Sequence, residues 1–164
     1  MLASGAPEAL VRGMSVFRQL MRTLQAPAPQ RDPDPRLSVA VLLVEAARQD
    51  DTFDAKERAV IEQLLARQFG LSAEECRALT DAAEKRVGEM VQIHGHTSEV
   101  FESTTPSERI RLIEMLWEVA YADGVLDPEE DLLIRRIAGL IAVEDRERVL
   151  ARRRVAAKLG VKSP

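Results

Sequence analysis

With 164 residues the chain fits one domain, and a chain of that size buries roughly 70% of its unfolded surface, enough for a core that needs neither disulfide nor metal. Hydrophobic residues make up 46% and charged ones 30%, but only 4% are aromatic, which leaves Leu, Ile, Val, Ala and Met to fill that core and favours helices over sheets. A net charge of −4 gives a phosphate backbone no reason to approach, which argues against nucleic acid as a partner, and the lone Cys76 excludes an intramolecular disulfide framework.

In chain order, residues 8 to 24 place Val11, Met14, Phe17, Leu20, Met21 and Leu24 at helical spacing among Arg12, Arg18 and Arg22. Such an amphipathic helix suits an anionic membrane surface, a partner's groove, or packing back on the rest of the chain. Pro27, Pro29, Pro33 and Pro35 then predict an extended linker, because each lacks a backbone donor and restricts the residue before it. Residues 1–35 therefore read as a helix and linker, and residues 36–164 as the main helical domain. No stretch approaches the roughly 18 consecutive apolar residues of a membrane span, and no basic cluster leads into an apolar run, which points to the cytoplasm.

From Arg36, the run Leu37, Val39, Ala40, Leu42, Leu43, Val44, Ala46 is apolar on most sides and predicts a helix at the centre of a bundle, ending near Gln49-Asp50-Asp51. A second helix begins after Asp54 and stops at Gly70, a residue suited to a left-handed cap. Ser72 with Glu75, and Thr105 with Glu108 after Pro106, have the spacing of capping boxes and open two more helices. The first of these breaks somewhere between Val87 and Phe101, with Gly88 and Gly95 both qualifying. Asp127-Pro128-Glu129-Glu130 opens the next, and a last helix covers about Asp145 to Lys158. The expected fold class is all-α, a single compact bundle of about seven helices.

Laid over one another, Glu45 to Leu65 and Glu118 to Ala138 share the pattern A-x-x-D-x-x-[FL]-D-x-x-E-x-x-x-I. Ala47 meets Ala120, Asp50 meets Asp123, Asp54 meets Asp127, Glu57 meets Glu130, and Ile61 meets Ile134. A duplicated helix–acidic-turn–helix unit, packed around a pseudo-two-fold axis, is the simplest origin. In each unit the second Asp stands where an N-cap belongs and the Glu at the third helical position, so capping accounts for Asp54 with Glu57 and for Asp127 with Glu130. Asp50 and Asp123 are different, because an acid at a helix C-terminus faces the negative end of the dipole. Each triad converging on a short turn would offer oxygen ligands for calcium or magnesium. The candidate metal positions are thus Asp123, Asp127 and Glu130, then Asp50, Asp54 and Glu57. The second turn is the better candidate, since Gly124 permits a tight backbone where the first has Asp51.

The segment Leu116-Trp117-Glu118-Val119-Ala120-Tyr121-Ala122-Asp123-Gly124-Val125-Leu126-Asp127-Pro128-Glu129-Glu130, followed by Leu133-Ile134-Arg135-Arg136, resembles the signature half of TerB-like, tellurite-resistance-associated proteins. Glu45 to Ile61 resembles the degenerate partner repeat, so that the resemblance spans residues 36 to 158. It implies a helical bundle, an acidic surface proposed to bind divalent metal, and association with protein partners in bacterial stress systems, as an interaction or sensing module. Direct action on tellurite is not implied, because an acidic surface repels an oxyanion and the chain has one thiol.

Catalytic signatures are missing from the sequence. There is no glycine-rich phosphate loop, no Gly-x-Ser-x-Gly elbow and no Cys–His pairing, and the paired carboxylates lie in turns expected to be exposed, where a raised pKa is hard to sustain. The expectation is a protein that is not an enzyme. His94-Gly95-His96 reads as a turn with exposed imidazoles rather than part of a zinc set. Trp117 reads as core with its indole N–H bonded nearby, and Arg135-Arg136 and Arg152-Arg153-Arg154 as solvated or paired with acids. The alternative function is a peripheral membrane or scaffold protein that uses residues 8–24, with purely structural acidic turns.

Overall fold

A computed structural model describes residues 34–48, 53–89 and 94–162, all within the unit Pro33–Pro164. The predicted helix over residues 8–24, its linker up to residue 33, and Asp50 lie outside the described residues. Those described form seven helices and no strand: α1 (Pro35–Ala47), α2 (Ala55–Phe69), α3 (Ala73–Glu89), α4 (His94–Ser103), α5 (Pro106–Ala120), α6 (Pro128–Leu140) and α7 (Asp145–Leu159).

The helix boundaries follow the local chemistry. Pro35 opens α1 instead of ending the linker, because its fixed φ suits a first helical position while the Asp34 side chain accepts the Arg36 N–H at 3.0 Å. Ser72 and Glu75 close a capping box on α3 at 3.2 and 2.8 Å, and Thr105 and Glu108 close one on α5. Gly70 and Gly160 take left-handed φ values of 65° and 68°, which end α2 and α7 without the backbone strain that a side chain would carry at positive φ.

Helix α1 is the hub. Ser38 to Val44, Ala46 and Ala47 are buried on all sides of it, and it packs against α2, α3, α4, α5 and α6. Its low polarity is what allows that position: a helix with a charged face could not be surrounded. Ile61, Leu65, Ile113, Leu116, Trp117, Ile134, Ile137 and Ile141 complete a core in which each large aliphatic side chain contributes about 1.5–3 kcal/mol by leaving water. Cys76 lies in that core, and burial pushes its thiol above the usual range. Helices α5, α6 and α7 pack on one another beside the hub.

Two expectations are corrected around α4. The break after Val87 falls at neither glycine, since α3 runs on to Glu89 and α4 starts at His94, leaving Gly88 and Gly95 inside helices. The segment His94–His96 is therefore the first turn of a helix, and the His96 imidazole is not exposed but buried, at 4% exposure, against α1.

Candidate functional site: the acidic interhelical turns

Asp54 caps α2. Its Oδ1 accepts the N–H groups of Lys56 at 2.8 Å and Glu57 at 2.9 Å, and Glu57 Oε2 accepts the Asp54 N–H at 2.9 Å. Asp127 caps α6 in the same way. Its Oδ1 accepts the Glu129 N–H at 2.8 Å, and Glu130 Oε2 accepts the Asp127 N–H at 3.0 Å, with Pro128 at the first helical position. Each box satisfies amide groups that a helix start otherwise leaves open, for about 1 kcal/mol. The positions matched in the sequence also share burial: Ala47 with Ala120, Ile61 with Ile134, and half-buried Phe53 with Leu126.

Between α5 and α6 the chain turns at once after Tyr121. Gly124 donates to the Tyr121 carbonyl at 3.0 Å with φ at 81°, a value that disfavours any side chain. Asp123 lies past the helix end, where its Oδ1 accepts the Val125 N–H at 3.0 Å. That local turn gives Asp123 a backbone partner of its own, which sequence spacing does not reveal.

The fit of these acids to a metal ion can be judged on the donor set. The acids engage nearby backbone amides, and among the described residues no group of three or more His, Cys, Asp or Glu side chains is placed to hold a metal ion. As folded, the carboxylates of the second turn are turned to backbone amides, with which any cation would have to compete.

Arginines from α7 brace this region. Arg148, 3% exposed, pairs with Asp145 at 2.8 Å and with Asp131 of α6 at 3.4 Å. Arg152 reaches Asp131 at 3.7 Å, donates from Nε to the Tyr121 hydroxyl at 3.0 Å and stands 5.2 Å over the Trp117 ring. Trp117 is fully buried as expected, but its indole N–H meets no protein acceptor; the ring face against Arg152 is its polar contact. The buried role of Arg148 has no signal in the sequence, because α7 is strongly polar and nothing in the spacing of this arginine distinguishes it from exposed Arg146, Arg153 and Arg154.

A second polar cluster also escapes sequence reasoning. Ser38 of α1 donates its hydroxyl to Glu99 of α4 and lies 3.4 Å from His96 Nδ1, which is 3.8 Å from Glu99. Burial holds the His96 imidazole below its ordinary value; Glu99 opposes that shift and Arg86 adds to it. These residue types suggest a nucleophile and base, but the geometry differs. The Ser38 hydroxyl proton goes to the carboxylate, and Ser38 is 1% exposed, so no substrate could reach it. The cluster fastens α4 to α1. A nearby cavity lined by Val39, Phe69, Val100, Leu112 and Met115 encloses about 40 Å³, close to the room of one water molecule and far below a ligand pocket.

A family model described as tellurite resistance protein TerB matches residues 36–153. No curated protein matches the chain, and no solved structure does. The match covers more than two thirds of the sequence and takes in α1 to α6, both capped helix starts and most of α7, so the chain belongs to the TerB family.

Proposed function

We propose that this TerB domain is a non-enzymatic interaction module whose contact surface is the acid-rich start of α6. The observation that carries the reading is the exposure of Val125 at 71% and Leu132 at 66%, beside Asp123, Glu129 and the capping pair Asp127 and Glu130. Two bare aliphatic side chains, one just before α6 and one in its second turn, with carboxylates between them in sequence on a rigidly capped turn, suit a protein partner better than a small molecule. The same reading takes the helix pairs α1–α2 and α5–α6 as copies of one unit, supported by their matching caps at Asp54 and Asp127. It places the protein in the cytoplasm, within the bacterial stress setting associated with the family; no helix among the described residues is long and apolar enough to cross a membrane.

Calcium or magnesium enters this reading only as a weak second occupant, because the ion would compete with backbone amides for the same oxygens. Calorimetric titration of wild type against the Asp123→Asn, Asp127→Asn, Glu130→Gln variant measures that competition directly. The contact surface itself is tested by placing a photoreactive amino acid at Val125 or Leu132 in cells, with exposed Arg77 and Lys85 of α3 as controls. Discrete adducts are expected from the α6 positions alone. Equal labelling at all four sites, or none, rejects the surface.

A further inference from the structure

Resting on the reading of α6 as a contact surface, we propose that its partner is a second copy of this chain, bound by antiparallel pairing of α6 with α6 across a two-fold axis near Leu132. The outer side of α6 is made of Pro128, Glu129, Leu132, Arg135, Arg136 and Gly139, all exposed and spaced to form one continuous stripe. Its charge runs from negative to positive along the helix, with the apolar Leu132 in the middle. Such a stripe is complementary to itself when reversed, which is what a two-fold contact requires.

Antiparallel pairing about Leu132 sets Leu132 against its copy, Glu129 against Arg135 with Arg136 alongside, and the Val125 end of one chain over Gly139 of the other. Gly139 is open there: a Cβ at that position would meet no atom within 4 Å. The charges are available, since none of Glu129, Arg135 and Arg136 takes part in an ion pair among the described residues. Asp131, which could have paired with Arg135 one turn on, is turned to the opposite side by Arg148 and Arg152. The strip is only about 20 Å long, so the contact is smaller than that of a permanent dimer and is concentration-dependent.

Sedimentation equilibrium of the full chain from roughly 10 µM to 1 mM covers that range of affinity. Wild type is expected to move from monomer to dimer. Glu129→Arg and Arg135→Glu should each weaken association about tenfold or more, because two-fold symmetry doubles every like-charge contact. Mixing the two variants should restore dimerisation: the first carries a cation at both positions and the second an anion at both, so each contact of the mixed pair joins opposite charges. A folding defect would not be rescued by mixing. A chain that stays monomeric, a dimer indifferent to both substitutions, or a mixture no tighter than the single variants overturns the proposal. A monomer that still gives photo-adducts of other mass from Leu132 leaves the contact surface standing with a different partner, whereas loss of all adducts removes both.

Discussion

Arg152 lies with its guanidinium 5.2 Å above the ring of Trp117, the one tryptophan of the chain, and donates to the hydroxyl of Tyr121, the one tyrosine. One α7 side chain thereby fastens the last turn of α5 and, through Asp131, the first turn of α6. Arg152→Ala is expected to cost about 1–2 kcal/mol, from the lost cation–π contact and hydrogen bond. Urea unfolding followed by Trp117 emission measures it, and a native-state emission shift should accompany the change because the ring loses its polar neighbour. Unchanged emission would mean that Arg152 does not contact the ring in solution.

Asp54→Ala and Asp127→Ala each remove the acceptor of a capping box and are expected to lower stability by about 1 kcal/mol. Asp123→Asn should stay within about 0.5 kcal/mol, because an amide oxygen can still accept the Val125 N–H. Thermal unfolding of the three variants, with and without calcium, separates cap from ligand. A calcium-dependent rise in wild-type melting that Asp123→Asn abolishes would show that this carboxylate serves a cation as well as the turn.

His96 predicts a pH dependence. Its folded-state pKa lies below the ordinary value of 6.5, so the folded protein binds fewer protons than the unfolded chain. The stability it supports is complete above about pH 6.5 and falls as the pH drops through that value toward the folded pKa. The charged groups acting on the ring are Glu99, which softens the effect, and Arg86, which strengthens it, while Ser38 faces it from α1. Urea midpoints between pH 7.5 and about 5 should therefore decline, and His96→Gln should flatten the part due to this group. An equally steep decline in the variant assigns the loss to the carboxylates.

Leu42 sits fully buried in the middle of α1, where every direction is occupied by another helix or by its own. Leu42→Ala is expected to cost about 2–5 kcal/mol, a large share of the stability of a domain this size. Exposed Leu132→Ala should cost less than about 0.5 kcal/mol at concentrations where the chain is monomeric, and there serves as the control in the same denaturation series. Similar losses at both positions would contradict the central placement of α1.

The features legible in the sequence are those governed by neighbours along the chain. Helix starts at Asp54, Ser72, Thr105 and Asp127, the stop at Gly70, and the buried character of α1 all depend on groups within about four residues or on hydrophobic periodicity. Asp54 with Glu57 and Asp127 with Glu130 are legible as caps for that reason, while the backbone bond of Asp123 depends on how the chain leaves α5. Packing between helices buries His96 against Ser38, sets Arg152 above the Trp117 ring and encloses Arg148 beside Asp131. Those relations join residues of different helices, and no local spacing encodes which face of one helix meets which face of another. The outer stripe of α6 is the clearest case: its exposed leucine follows the same pattern as a core residue, and it is the packing of α5, α4 and α7 against the other side of α6 that leaves it in water.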